Sequence, residues 1–108
     1  MFFKRQDIPV DTMLPGVSRR IMAHESKLMM VEVYFDAGAV VPAHAHPHEQ
    51  ASYVVSGKVR VNVGGKEAVC EAGDSFFSKS GVEHSVAAFE RSVVVDVFTP
   101  QREDFLKK

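Results

Sequence analysis

The chain has 108 residues, of which 45% are hydrophobic, so it is long and apolar enough to form one small domain with a core. Its formal net charge of −1 offers no electrostatic attraction for nucleic acid, and no apolar run approaches the roughly 20 residues that span a membrane. Cys70 is the single cysteine, which excludes an intrachain disulfide and fits a reducing compartment. The start of the chain lacks the long apolar segment of a signal peptide, so we expect a cytoplasmic protein that binds neither nucleic acid nor a membrane.

The first predicted elements are short strands with alternating apolar and polar side chains. Residues Leu28 to Phe35 form one such strand, and Lys58 to Val63 form another. The apolar face of the first strand consists of Met29, Val31, Val33 and Phe35. Gly64-Gly65 after the second strand predicts a tight hairpin turn into a further strand over Lys66 to Cys70, in which Cys70 is a buried apolar residue.

The second half of the chain continues the pattern of strands and turns. Turns are predicted at Ala72-Gly73-Asp74 and at Ser80-Gly81, and a last strand at Ser92 to Phe98. After it, Pro100 stands at the first position of a predicted helical turn over about residues 100–106. Turns at intervals of roughly 8–12 residues are typical of an all-β sandwich or barrel.

One acidic residue interrupts the apolar last strand. Asp96 shares a strand face with Val94 and Phe98, and Arg102 follows six residues after the aspartate. An aspartate on an apolar strand is costly to bury unless it is paired or used. A structural Asp96–Arg102 ion pair and a functional role are both consistent with the sequence alone.

Histidines with metal-ligand spacing occupy the middle of the chain. His44 and His46 are two residues apart, so on an extended strand both imidazoles point to the same face and can reach one ion. Gln50 has the same parity and a carbonyl oxygen, and His84 belongs to a second strand-turn unit that begins at Gly73. Three imidazoles and one amide oxygen form a plausible site for a divalent metal ion.

These two units resemble the two cupin motifs. Gly38 to Gly57 matches the first motif, with Gln50 in place of the usual glutamate. Gly73 to His84 matches the second, with Lys79 in place of the usual proline. The resemblance extends over about residues 31–100 and implies a single cupin domain, residues 1–108, with a β-jelly-roll barrel core over about 28–100 and a metal site in the barrel mouth.

The residues next to this motif have alternative interpretations. His48 shares the parity of the histidine pair, but the cupin pattern skips this position as the chain bends. Glu49 points away on a regular strand, and replacing Gln50 would require a register shift. Gln50 itself can either bind the metal or orient a ligand histidine through a hydrogen bond.

Within the cupins, the chain resembles the small single-domain proteins of the KdgF type, the pectin-degradation family. The similar stretches include the residues from His44 to Gln50, Ser52 to Gly57, Val82 to His84, and Phe98 to Leu106. The metal set of that family is three histidines and a glutamine, which Gln50 matches. Its proposed active-site pattern is Asp-x-Phe-x-x-x-Arg, which Asp96, Phe98 and Arg102 match.

This resemblance implies an isomerase- or lyase-like enzyme that opens the ring of 4,5-unsaturated monouronates from pectin or alginate and yields linear keto sugar acids. The implied cofactor is one divalent ion (nickel, zinc, manganese, iron or cobalt). Asp96 is expected to shuttle a proton, Arg102 to bind the uronate carboxylate, and Phe98 to form an apolar wall. Small cupins of this kind also pair as homodimers.

Two other classes of function fit a cupin with three histidines. One is an iron-dependent dioxygenase that acts on a small molecule, for which turnover would depend on oxygen. The other is a non-enzymatic domain that binds a sugar or another small molecule without turnover. The fold does not choose between them, because cupins host many functions.

Overall fold

The computed structural model describes residues 1–107 and confirms the predicted all-β cupin fold. Within residues 1–107, ten strands form two antiparallel sheets, with a 3₁₀ turn at Arg5–Asp7 before them and a helical turn, α1, at Glu103–Leu106 after them. The strands are β1 Asp11–Leu14, β2 Val17–Glu25, β3 Leu28–Phe35, β4 Val40–His44, β5 Glu49–Ser56, β6 Lys58–Val63, β7 Lys66–Glu71, β8 Ser75–Ser78, β9 His84–Ala88 and β10 Ser92–Thr99.

The two sheets enclose the core between them. The larger sheet has the strand order β1-β2-β3-β10-β5-β8, and the smaller has β4-β9-β6-β7. The alternating faces predicted for β3 and β6 point inward, as the burial of Val31 and Val59 shows. The core consists of Val17, Met29, Val31, Val33, Phe35, Val54, Val59, Val61, Cys70, Val86, Ala88, Val94 and Phe98.

Gly57 makes the bend that carries the chain from the larger sheet into the smaller one. Its φ of 90° lies in the left-handed region that favours glycine. A Cβ atom there would lie 2.2 Å from the Ser92 Oγ and 2.5 Å from the Arg91 carbonyl oxygen. A side chain at this position would therefore push the bend away from Arg91 and Ser92, where the two sheets meet.

The first two strands were not predicted, since the predicted core began at Leu28. β2 contains Arg19, Arg20 and His24 and lacks a clean alternation, but it pairs along β3 and buries Val17 in the core. Its pairing with a strongly apolar neighbour, rather than its own pattern, gives it a place in the sheet.

The helical turn at the end of the chain begins later than predicted. The predicted span started at Pro100, but α1 starts at Glu103, and its preceding residue Arg102 has extended backbone angles and no capping side-chain hydrogen bond. The Thr99-Pro100 peptide bond is cis and closes β10. No helix among residues 1–107 is long and apolar enough to cross a membrane.

Candidate active site

Three histidines meet between the two sheets, although they come from different parts of the backbone. His44 ends β4 and is the direct cross-strand partner of His84, which begins β9. His46 lies beyond the end of β4, in the loop that crosses to β5, and its carbonyl oxygen accepts the Gly81 N–H at 2.9 Å. One nitrogen from each ring lies within 4.8 Å of the others. A strand alone therefore does not align His44 with His46, since the crossing loop places the second ring.

Each ring is oriented by a backbone carbonyl two residues away. Nδ1 of His44 lies 2.9 Å from the Pro42 oxygen, and Nδ1 of His84 lies 3.0 Å from the Val82 oxygen. Nδ1 of His46 lies 3.0 Å from the oxygen of residue 48. Because a carbonyl can only accept, each Nδ1 carries the hydrogen and each Nε2 keeps a free lone pair. This arrangement is typical of metal-binding histidines.

Burial keeps two of these rings neutral. It lowers the pKa of His46, as does the charge of Arg102, and it also lowers the pKa of His84. The Nε2 atom of His84 is buried and has no hydrogen-bond partner among residues 1–107. A buried nitrogen with a free lone pair, facing two similar nitrogens, fits a bound cation.

Gln50 supports the same conclusion. Its Oε1 lies 3.0 Å from Nε2 of His46, and its Nε2 donates to Ser52 Oγ at 2.9 Å. The amide oxygen and the imidazole nitrogen that face each other are therefore both acceptors. Two acceptors at this distance repel each other unless a cation lies beside them, so the donor set of three imidazoles and one amide fits a divalent ion.

A hydrogen-bond chain connects this cluster to Asp96. Ser52 Oγ accepts from Gln50 and donates its own hydrogen to Asp96 Oδ1 at 2.7 Å. Gln50, Ser52 and Asp96 lie on paired strands β5 and β10, whose register sets Asp96 opposite Ser52. An ionised Asp96 takes the only hydroxyl hydrogen of Ser52, and this fixes the amide oxygen of Gln50 toward His46.

Asp96 is partly buried and lines the cavity. Burial raises the pKa of its carboxyl from 3.8 to about 6, although the hydrogen bonds from Ser52 and Gln50 and the charge of Arg102 act in the opposite direction. A carboxyl with this pKa changes its protonation state close to neutral pH.

Arg102 forms its ion pair with Asp104 rather than directly with Asp96. Its Nε and Nη2 bond the two carboxylate oxygens of Asp104 at 3.0 and 2.9 Å, and they lower the pKa of that carboxyl. The guanidinium carbon of Arg102 lies 5.0 Å from the centre of the Phe98 ring and 4.1 Å from that of Phe105. The guanidinium is therefore buried and held by aromatic rings at the cavity wall.

A cavity of about 560 Å³ connects all of these groups, and its volume suits a small molecule. Two of the three histidines, Gln50, Asp96, Phe98 and Arg102 line it, together with apolar residues of both sheets. Ring centres of Phe98 and His46 are 5.6 Å apart, so the apolar wall adjoins the histidine cluster.

The sequence named most of these residues but missed others. His48 lies beside the cluster with its ring centre 5.6 Å from that of His46, and Glu49 is exposed, so neither joins the three histidines. Ser52 was missed, although its parity with Gln50 on β5 was available from the sequence. Arg19 and Phe105 also line the cavity, and no pattern in the sequence indicated this.

Two antiparallel sheets around a three-histidine cluster define the class of this protein as a cupin, and residues 31–98 match the Cupin_2 family, the cupin domain. The chain is 34% identical over 107 residues to the pectin degradation protein KdgF of Dickeya dadantii (strain 3937), with 97% of each chain covered. The solved structure of KdgF from Halomonas sp. is 37% identical, covers 97% of both chains and has a TM-score of 0.93. An RmlC-like cupin from Shewanella frigidimarina NCIMB 400 is 38% identical over 96% of this chain and 94% of its own, also with a TM-score of 0.93.

The chain therefore belongs to the cupin family and, within it, to the small single-domain proteins of the KdgF type.

Proposed function

We propose that this protein is an enzyme that opens the ring of 4,5-unsaturated monouronates and yields linear keto sugar acids. Support comes from the Dickeya dadantii relative, which is named as the pectin degradation protein KdgF, from the KdgF structure of Halomonas sp., and from the groups that line the cavity. The observation that carries the proposal is Asp96, an acid with a pKa of about 6 that shares its cavity with two imidazoles and a buried guanidinium.

The reaction requires two proton transfers and one bond cleavage, without net oxidation or reduction. The hydroxyl on C1 of the cyclic hemiacetal loses its proton while the bond between C1 and the ring oxygen breaks. The products of this step are an aldehyde at C1 and an enolate over C4, C5 and the former ring oxygen. C4 then gains a proton, and the enolate becomes a ketone.

Asp96 is the group that we assign to both proton transfers. In its ionised form it accepts the hydroxyl proton, and in its protonated form it donates to C4. A pKa of about 6 suits this double role, because both forms are populated near neutral pH. Ser52 holds the carboxylate in one orientation through its hydrogen bond to Oδ1.

Arg102 and Phe98 would bind and orient the sugar acid. The guanidinium can form a bidentate fork with the substrate carboxylate, and its aromatic neighbours limit its movement. Phe98 is buried, lines the cavity and would give the sugar ring an apolar wall.

We further propose that His44, His46, His84 and Gln50 hold one divalent ion, whose chemistry when bound would be Lewis-acid polarisation of substrate oxygens. All four donors are neutral, so none cancels the charge of the ion. A glutamate at position 50 would cancel part of it. The donor set tolerates nickel, zinc, manganese, iron and cobalt.

The direct test is incubation with an unsaturated monouronate prepared with a pectate or alginate lyase. We expect the alkene absorbance to fall faster than in the uncatalysed sample, and the product to have the same mass as the substrate. The rate should be equal with and without oxygen. A rate equal to the uncatalysed one would refute ring opening, and a requirement for oxygen would favour a dioxygenase.

A further inference from the structure

Besides Arg102, a second arginine, on a strand near the start of the chain, reaches the cavity. Arg19 on β2 lines the cavity, and its guanidinium carbon lies 3.8 Å from the centre of the Phe105 ring. Only 14% of its side chain is exposed, although it lies on the second strand from the edge of the sheet. Burying a guanidinium without a use for it is costly, so its position requires an explanation.

Arg19 and Arg102 share the same aromatic ring. Their guanidinium carbons are 3.8 and 4.1 Å from the centre of Phe105, so they lie no farther apart than these two distances combined. Two like charges this close repel each other unless anions compensate for them. The ring itself separates the two stacked guanidinium groups, and a single carboxylate beside the edge of the ring can direct one oxygen to each of them.

Each arginine also has an aspartate partner that is much more exposed than itself. Asp11 lies 3.2 Å from Arg19, and Asp104 lies 2.9 Å from Arg102. The aspartate side chains are 56% and 57% exposed, whereas the arginine side chains are 14% and 11% exposed. An ion pair with an exposed partner contributes little stability, so another carboxylate can replace that partner at small cost while the stacked guanidinium stays in place.

We propose that Arg19 is a substrate-binding residue, and that Arg19 and Arg102 together hold the carboxylate of the sugar acid. In this arrangement Asp11 pairs with Arg19 and Asp104 pairs with Arg102 until the ligand carboxylate replaces both aspartates. This inference extends the proposed function, since it identifies the group of the substrate that the cavity recognises. It predicts a preference for sugar acids over neutral sugars.

The test measures binding rather than turnover, with D-galacturonate as an acidic probe that has no alkene and D-galactose as its neutral counterpart. Calorimetry on the full chain, with added metal and after chelation, should show that the parent prefers the acid. Arg19→Ala should raise the Kd for galacturonate by about 10- to 100-fold, the usual effect of losing a hydrogen bond to a charged group, and leave the weak binding of galactose unchanged. Arg19→Lys should restore only part of the affinity, because it keeps the charge without the planar stack.

Asp11→Asn provides a test in the opposite direction. Removing the competing carboxylate should tighten galacturonate binding in the parent background and have no effect in the Arg19→Ala background. A residue that only supports the fold would lower the melting temperature and leave the Kd unchanged. If Arg19→Ala does not fold, the direction of the Asp11→Asn effect still decides the question.

Arg60→Ala is the matched control. Arg60 forms an ion pair with Glu67 at 3.1 Å and lies 4.9 Å from the centre of the Phe89 ring, but it is on β6 and is not among the residues that line the cavity. Its replacement should not change galacturonate binding.

Equal binding of galacturonate by the parent and Arg19→Ala, or no preference of the parent for the acid, would overturn the inference. The two proposals fail separately in these experiments. Ring opening that does not depend on Arg19 would reject this inference alone, whereas acid binding that depends on Arg19 without any ring opening would reject the proposed function alone.

Discussion

Replacing Asp96 with asparagine should make the protein more stable and nearly inactive. The substitution preserves the size of the side chain and an oxygen that can accept the Ser52 hydrogen bond, but it removes the charge. If Asp96 were retained for stability, its removal would weaken the fold. A residue that costs stability and is nevertheless present at a cavity wall is typical of a catalytic group.

The size of the effect follows from the pKa of the Asp96 carboxyl. Burial raises it from 3.8 to about 6, so the folded state favours the protonated form, and ionisation favours the unfolded state. The stabilising contribution of the protonated Asp96 carboxyl is therefore fully present below pH 3.8, and it is lost as the pH rises through about 6. At about 1.4 kcal/mol per pH unit, the charged carboxylate costs about 3 kcal/mol at pH 8 and about half as much at pH 5.

The corresponding measurement is chemical unfolding of both proteins at pH 5 and pH 8. Chelated protein is required, because a bound cation would itself lower the pKa of Asp96. At pH 8 the free energy of unfolding of Asp96→Asn should exceed that of the parent by about 3 kcal/mol, equivalent to a melting temperature about 10 °C or more higher. The difference should shrink toward pH 5.

Turnover by metal-loaded Asp96→Asn should fall by about 10²–10⁴-fold, mainly in kcat, since a general acid–base group is lost. Asp7→Asn, which changes an exposed aspartate in the 3₁₀ turn, should alter neither stability nor rate. If Asp96→Asn were less stable than the parent at pH 8 and turned over at the parent rate per folded molecule, Asp96 would be a structural residue and the mechanism would be wrong.

Four further predictions concern the metal, the substrate and assembly. The His44→Ala/His46→Ala double variant should lose stoichiometric metal in elemental analysis, and full retention would refute the ligand assignment. Gln50→Glu should keep its metal but turn over more slowly, because the added charge weakens the Lewis acid; an unchanged kcat at saturating metal would show that this charge is irrelevant. Arg102→Ala should raise KM strongly with little loss of metal, and an unchanged KM would exclude it from carboxylate binding. Light scattering should give a dimer mass, since Met1 and Phe2 are exposed and free to pack against a second copy, whereas a monomer mass at micromolar concentration would reject assembly.

The parts of the fold that the sequence predicted were those with a strong local pattern. The alternation around Val59 and the turn at Gly64-Gly65 are local features, and the structure confirms both. β2 has no such pattern, because its place depends on pairing with β3, which is a property of the whole sheet. The start of α1 was wrong because proline at a favourable first position does not require a helix to begin there.

The site shows the same limit. The spacing of His44, His46 and His84 identified residues that the structure brings together, although the geometry that unites them is a loop between sheets rather than one strand face. The environment of Asp96 could not be predicted, since its pKa depends on burial by distant residues and on a hydrogen bond from Ser52. The position of Arg19 at the cavity could not be predicted for the same reason, because its partner ring, Phe105, lies 86 positions further along the chain.

The division of the proposed metal ligands between two sheets has a consequence for the lifetime of the protein. His44 and His84 belong to the smaller sheet and Gln50 to the larger one, so an ion held by all of them would act as a cross-link between the two halves of the barrel. Anything that binds only the folded state stabilises it by mass action, by about 2.7 kcal/mol at a free concentration 100 times the Kd. The resistance of this chain to proteolysis would then follow the metal supply of the cell, and metal starvation would remove the protein as well as its activity.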